Sequence, residues 1–315
     1  MNSPLQTVGK EVEAYQHLHE GENVIVLASP EEWDKARLVI DWLCFDWGMN
    51  FRAMLEGVES PEKALDAIDA QKDASVIVLT ESGGIADEKG QTLPLLTRRK
   101  IKDILKGEHS CIGTMQKETQ QKIEFASNAL RLVPKVTFTS AQELPNEIST
   151  WMGAGTMAID QEHLALGKID PEYENPIFRA MYEYYSGGKF RNRSKEELNS
   201  LEEHHWMLRL GKTPLGGVSL VPKGNEWREL SALWAGTLGQ GIGREILRKM
   251  PKTEQSTYAL STDRDAMELF RSEGFRNPGT LADSVKLLPG ELQRILRSYD
   301  TSKRNPHIFL QQGNL

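Results

Sequence analysis

The sequence predicts an α/β protein of two domains, a mostly parallel sheet with helices on its faces followed by a mixed α/β domain. Three observations predict it. Short continuous apolar runs at 23–28 and 74–80 alternate with amphipathic helical stretches, as strands buried on both faces of a parallel sheet do. Beyond about residue 160 the order changes to two helices and then three strands separated by turn residues. A glycine-rich turn at 238–243 then joins a strand to a helix. With 315 residues, 39% of them apolar and 26% charged, the chain has the length for two globular domains. The change of pattern puts them at 1–160 and 161–315.

Along the first half, Leu5, Val8, Val12, Tyr15 and Leu18 recur at spacings of three and four, which makes 5–19 an amphipathic helix ending at Gly21. The apolar run 23–28 is the first buried strand. Ser29-Pro30-Glu31-Glu32 then reads as an N-cap with proline in the first turn, opening a helix that carries Trp33, Ala36, Val39, Ile40 and Leu43. A helix over 61–71 leads to the second buried strand at 74–80. Helices over 97–105 and 119–131 and a strand at 135–139 continue the alternation. Between 158 and 175 the periodicity dissolves into Asp, Glu, Gly and Pro, as in a linker.

The second half opens with helices at 177–185 and 194–202. Strands at 206–210, 217–221 and 228–234 follow, with Gly, Pro and Asn at the turns 211–214 and 222–225, so they form an antiparallel meander. Next comes the glycine turn. Gly239, Gly241 and Gly243 let the backbone approach an anion without a Cβ in the way, and the N–H groups of the following helix start point at it along the helix dipole. A strand, a glycine turn and a helix suggest a pyrophosphate-bearing ligand on Leu238, Gly239, Gln240, Gly241, Ile242, Gly243 and Arg244; a tight strand-to-helix turn is the alternative. A strand at 257–261, a helix at 265–272, a break at Gly274-Phe275 and a strand-like 307–310 complete the chain.

Composition excludes several classes of partner. A net charge of −7 argues against nucleic acid or an anionic membrane, which need a basic face. No run reaches the ~18 apolar residues of a membrane span. The start Met1-Asn2-Ser3-Pro4-Leu5 lacks the basic-then-apolar order of a signal peptide, so a cytoplasmic location is expected. Cys44 and Cys111 are too few for a disulfide framework and are expected to be buried, inert thiols. His204 and His205, adjacent in a strand, would point to opposite faces and share no metal, so no metal site is predicted.

The element order of the second half resembles that of the GCN5-related N-acetyltransferases. Its glycine turn resembles their Q/R-x-x-G-x-G acyl-CoA loop, although Leu238 stands where the first Gln or Arg belongs. Asp263, Ala266, Met267, Leu269, Phe270, Gly274 and Phe275 match their later helix and its Gly-Phe ending. The whole chain resembles the N-acetylglutamate synthase family, which joins an amino-acid-kinase domain to such an acetyltransferase domain. The matching stretches are 144–157 (Leu-Pro-Asn-Glu-Ile-Ser-Thr-Trp-Met-Gly-Ala-Gly-Thr-Met), 80–87, 93–97, 193–198 and 229–233. The resemblance implies a truncated amino-acid-kinase-like domain, regulatory or oligomeric, then a GNAT-type acetyltransferase domain, in a homo-oligomer. Where the kinase phosphate loop has a Lys and a Gly-Gly pair, this chain has Leu27 and Ser29-Pro30, so phosphoryl transfer is not expected.

What the resemblance further implies is transfer of acetyl from acetyl-CoA to the α-amino group of an amino acid, glutamate first. The pyrophosphate would lie on Gly239 to Arg244, and Leu233 and Trp234 beside the pantetheine. The Leu233 backbone N–H would donate to the thioester oxygen, and Glu229 would take a proton through water, unless it is only an exposed strand residue. The family's tyrosine acid falls on Phe270, leaving Ser261, Thr262 and Tyr299 as substitutes. Arg193, Lys303 and Arg304 would hold acceptor carboxylates, unless each is only a solvated surface charge, with Lys303 and Asn305 replacing the family's arginine and serine. Two alternatives stand beside this reading: acetylation of a different amine, and a non-catalytic protein that binds acetyl-CoA or arginine and regulates another.

Overall fold

Among the described residues, seven strands sit in one sheet and six in another, and each sheet belongs to its own part of the chain. The computed structural model describes residues 4–54, 61–69, 75–108, 117–149, 154–171, 174–186, 190, 193–236, 240–297, 299 and 305–313. Two compact units result: Met1–Leu164 with Leu210–Thr213, and Ala165–Arg209 with Pro214–Leu315.

In the first unit the order is α1 (Pro4–His19), β1 (Asn23–Leu27), α2 (Pro30–Trp47), β2 (Asn50–Met54), α3 (Pro61–Asp69), β3 (Ser75–Leu79), β4 (Leu95–Thr97), α4 (Arg98–Leu105), α5 (Lys117–Ala129), β5 (Lys135–Thr139), α6 (Leu144–Ser149) and β6 (Thr156–Ile159). The sheet runs β2-β1-β3-β5-β6-β4. Strands β2, β1, β3 and β5 are parallel, while β6 is antiparallel to β5 and parallel to β4. The apolar runs fill the core as expected: Ile25, Leu27, Val76, Val78 and Phe138 pack with Ile101, Ile123 and Ala126 from the covering helices. Ser29 caps α2, its Oγ accepting the Glu32 N–H at 3.2 Å, and Gly48 closes the helix at φ +63°. Glu22, just before β1, holds His19, Ser75 and Lys135 on its two oxygens. Burial alone would raise that carboxyl's pKa, but Lys135 and His19 outweigh it and hold the group far below the usual range.

In the second unit the order is β7 (Leu164–Lys168), α7 (Asn175–Ser186), α8 (Lys195–Glu203), β8 (His205–Leu210), β9 (Thr213–Lys223), β10 (Trp227–Ala235), α9 (Ile242–Lys249), β11 (Ser256–Ser261), α10 (Arg264–Ser272), β12 (Arg276–Thr280), α11 (Leu281–Ser284), α12 (Gly290–Leu296) and β13 (His307–Gln311). The sheet runs β12-β13-β11-β10-β9-β8-β7. Strands β9 and β10 form the expected antiparallel hairpin, and β10 pairs with β11 in parallel.

Several expectations are corrected. The linker read at 158–175 holds the end of β6 and all of β7, which pairs as an edge of the second sheet. Only Leu164 of β7 is buried, so the strand leaves no apolar run to read. Strands β2, β4 and β12 were likewise not expected. His204 caps α8 and only His205 lies in the strand. Cys44 is half-buried, because it sits beside the buried stripe of α2 and not on it; Cys111 lies outside the described residues.

Candidate active site

Strand β10 is where the second sheet comes apart. Its residues Trp227 to Leu230 pair with Ser256 to Ala259 of β11 and the pairing stops there, although β10 continues to Ala235 and β11 to Ser261. On its other edge β10 stays with β9 through a bulge. Ser231 faces Ser219 and Trp234 faces Gly217, so Ala232 and Leu233 together oppose Val218. Ala232 takes φ +46°, the one positive φ of a non-glycine among the described residues. The β11-side edge of β10 is thereby released from ladder hydrogen bonds.

The parting opens a cavity of about 730 Å³. Glu229, Ser231 and Leu233 of β10, Gly241 to Arg244 at the start of α9, and Ser261, Thr262 and Asp263 after β11 line it. Tyr182 and Tyr185 of α7, Phe190, Arg193, Phe270 and Tyr299 complete the wall.

Gly241 precedes α9 at φ +83°, a left-handed conformation suited to glycine, and no side chain caps the helix. The first helical bond runs from Glu245 N–H to Gly241 C=O at 3.0 Å, so the N–H groups of Ile242, Gly243 and Arg244 precede the ladder and lie at the positive end of the dipole. A Cβ on Gly243 would sit 2.9 Å from Leu269 Cδ2 of α10, the end of a side chain that would have to turn aside. The Arg244 guanidinium lies on Glu273, Nε to Oε1 2.8 Å, which leaves its N–H as its offering to the cavity.

Glu229 and Ser231, two apart on one strand face, both meet Arg193. Arg193 Nη2 is 3.1 Å from Glu229 Oε1 and also donates to Ser231 Oγ. Glu197 Oε1 is 3.8 Å from Nη1, and Lys223 Nζ is 3.5 Å from the other Glu229 oxygen. These side chains are sheltered, Arg193 9% and Glu229 12% exposed, so the pair is an internal one and not a solvated surface charge. The capping box of α8 fixes the approach of Arg193: Ser194 Oγ accepts the Glu197 N–H at 3.2 Å and Glu197 accepts the Ser194 N–H at 3.0 Å.

Of the residues singled out in the sequence, Arg193, Glu229, Leu233, Trp234, Gly241, Ile242, Gly243, Arg244 and Tyr299 therefore meet in one cavity. Gln240, half-buried, sits one residue before that wall. Leu238, Gly239, Lys303 and Arg304 lie outside the described residues. Trp234 is only 3% exposed, its indole N–H donating to His205 Nε2 at 3.2 Å, so the indole is turned to the core. Phe270 packs between Phe275 and Phe309 and brings no proton donor to the wall.

Sequence reasoning missed Tyr182, Tyr185, Phe190 and Ser231. The tyrosines lie at helical spacing and read as core, and Ser231 carries no signal until its strand face is known. Tyr185 Oη donates to Ala235 C=O at 3.3 Å, and burial, with Tyr184 adding, pushes its phenol above the ordinary value. Among the described residues no group of three or more His, Cys, Asp or Glu is placed to hold a metal ion. No helix among them is long and apolar enough to cross a membrane.

No protein-family model matches the chain and no curated protein matches it. Solved structures do. N-acetylglutamate synthase from Neisseria gonorrhoeae, complexed with coenzyme A and N-acetyl-glutamate, is 14% identical with a TM-score of 0.39 over 100% of both chains. The same organism's enzyme complexed with coenzyme A and L-arginine is 16% identical with a TM-score of 0.43, over 89% of this chain and 65% of that one. A GNAT-family acetyltransferase from Staphylococcus aureus is 14% identical with a TM-score of 0.35, over 47% of this chain and 98% of that one.

Proposed function

We propose that the chain is an acetyl-CoA-dependent N-acetyltransferase acting on the α-amino group of an amino acid, with L-glutamate the first acceptor to test. One observation carries this reading: a single cavity joins the uncapped start of α9 to the released edge of β10 at its bulge. The first suits a diphosphate and the second a carbonyl in need of a donor, the two ends of one acyl-CoA. Acetyl-CoA supplies an activated acyl group, so the chain must hold it, polarise it and move protons.

In the reaction the amine nitrogen bonds the thioester carbon, the C–S bond breaks, and the sulfur leaves as thiol. The N–H groups of Ile242, Gly243 and Arg244 hold the diphosphate. A released β10 N–H, Leu233 first, donates to the thioester oxygen as charge develops on it. Glu229 receives the ammonium proton through water, and the second proton, which the nitrogen loses as the amide forms, reaches sulfur by way of the Tyr299, Ser261 or Thr262 hydroxyl. Arg193, with Lys303 and Arg304, is assigned to the acceptor's carboxylates.

The engagement of Arg193 by Glu229 and Ser231 favours one second reading, a different amine as acceptor. Phe270 in place of a proton donor supports a third, a sensor that binds without turnover. Thiol release from acetyl-CoA across a panel of amino acids and amines tests all three. Release with glutamate supports the first, release with another amine alone supports the second, and binding without release supports the sensor. We assign the first domain, 1–160, a non-catalytic regulatory or oligomeric role, and the transferase role to 161–315, in a cytoplasmic homo-oligomer of arginine biosynthesis. A monomer in light scattering removes the oligomer from that assignment.

A further inference from the structure

We infer that His205 is a positioning residue that staples the β10 bulge and so aims the released strand edge at the thioester; the inference rests on the acetyl-transfer reading above. The first residue of β8, His205 is completely buried and its two ring nitrogens reach the two ends of the bulge. Nδ1 lies 2.9 Å from Ser219 Oγ, and Ser219 is the β9 partner of Ser231, the last paired residue before the bulge. Nε2 lies 3.2 Å from Trp234 Nε1, and Trp234 is where pairing resumes. One imidazole thus measures the distance across which β10 carries its extra residue.

Hydrogen-bond directions follow from the groups. An indole N–H only donates, so Nε2 accepts; Nδ1 then carries the proton and donates to Ser219, whose hydroxyl donates to Leu201 C=O at 3.0 Å. Both imidazole nitrogens, the indole N–H and the Ser219 hydroxyl are thereby all engaged, beneath the Phe178 ring, whose centroid is 4.4 Å from that of the imidazole. Space for it is reserved on β9. A Cβ on Gly217 would lie 2.3 Å from His205 Nε2 and 2.7 Å from Trp234 Nε1, which accounts for glycine inside a central strand where it otherwise weakens pairing. A core that needed only filling would use apolar side chains here. A directional network that touches β8, β9 and β10 at the bulge fixes register instead, and register decides which N–H groups of 231–235 face the cavity.

The test compares the wild type with His205→Phe, Trp234→Phe and His205→Gln, the last keeping an acceptor for the indole. Two readouts are taken: the infrared carbonyl stretch of bound acetyl-CoA labelled with 13C at the carbonyl, and kcat and KM for acetyl-CoA. His205→Phe and Trp234→Phe should move the carbonyl band back toward its free position and lower kcat about a hundredfold, with KM for acetyl-CoA changed less than threefold. His205→Gln should restore both. An unchanged band and kcat in either apolar variant overturns the staple. So does a parallel loss of acetyl-CoA affinity and thermal stability that His205→Gln does not rescue, which would mark a merely structural residue. A wild type that binds acetyl-CoA but acetylates no amine defeats the proposed function alone, since the carbonyl band still judges the staple. A wild type that binds no acetyl-CoA overturns both.

Discussion

Arg193 reaches β10 from the loop before α8 and holds Glu229 and Ser231 together, and in the reaction proposed above it is the residue on which the acceptor end of the cavity turns. A charge-assisted hydrogen bond from the guanidinium to an acceptor carboxylate contributes on the order of 2–3 kcal/mol to binding. Arg193→Ala should therefore raise KM for the acceptor about thirtyfold or more and leave KM for acetyl-CoA within twofold. Steady-state kinetics with each substrate varied in turn checks this, and equal rises in both constants would place Arg193 outside the acceptor end. His205 gives a pH signature of another kind. Burial, with the charge of Arg209 adding, pushes its pKa from 6.5 down to about 3, so the folded state resists a proton that the unfolded chain accepts. Between those two values the unfolded state binds more protons, so stability rises with pH across the window and this contribution is complete above pH 6.5. Acidification from pH 6.5 to 5 should cost about 2 kcal/mol through this group. Urea unfolding of wild type and His205→Gln at both pH values isolates the term; identical slopes in the two proteins would mean the ring is accessible to protons.

At the scale of elements, the α8 capping box is the device that presents Arg193. Removing the N-cap hydroxyl with Ser194→Ala should cost roughly 1 kcal/mol of stability and raise the acceptor KM, because the last residue before the helix loses its fixed exit. Urea unfolding and acceptor kinetics check both halves, and a stable variant with normal KM would show that the loop is held elsewhere. Elements such as this were legible because they carry local chemistry. Ser29-Pro30 announces α2, Ser194 with Glu197 announces α8, and the runs at β1 and β3 are apolar on both faces because both faces are buried. Edge elements lack that imprint: β7 buries only Leu164, and β12 carries Pro278 and Gly279. The site divides the same way. Glycine at 241 and 243 could be read directly, and at Gly241 the left-handed φ of +83° bears it out. The bulge could not, since it exists only in the register between β10 and β9, and the Arg193–Glu229 pair joins residues 36 apart in sequence. The contact of His205 with Trp234 is equally illegible, since periodicity says nothing of a partner 29 residues away.

Considered as a whole, the described residues form two sheets, and these differ in what they offer at their strand ends. In an open parallel sheet, ligands bind outside the carboxyl ends of the strands, through helix N-termini and loop N–H groups. In the first unit the described groups at these ends make contacts within the protein. After β1, Ser29 Oγ takes the Glu32 N–H at the start of α2. After β3, the 3%-exposed Lys122 places its Nζ on Ser82 Oγ at 2.6 Å, Gly83 C=O at 2.9 Å and Gly84 C=O at 3.3 Å. Beyond β5, the Glu147 carboxylate accepts the N–H groups of Ala154 and Gly155, each at 2.7 Å, where an incoming anion would need them. Burial raises the pKa of Glu147 and lowers that of Lys122, so each sits where its charge is costly and is held by its internal contacts. A nucleotide phosphate would have to displace a capping hydroxyl and a carboxylate and draw the Lys122 ammonium from its carbonyls and from Glu118, with no lysine at position 27 to add charge. In the second unit, by contrast, α9 begins without a side-chain cap. Isothermal titration should therefore give one acetyl-CoA per chain and no heat from magnesium ATP at millimolar concentration. A second acetyl-CoA per chain, or saturable binding of ATP, would show that the internal contacts of the first unit yield to a ligand and that its role is nucleotide-dependent.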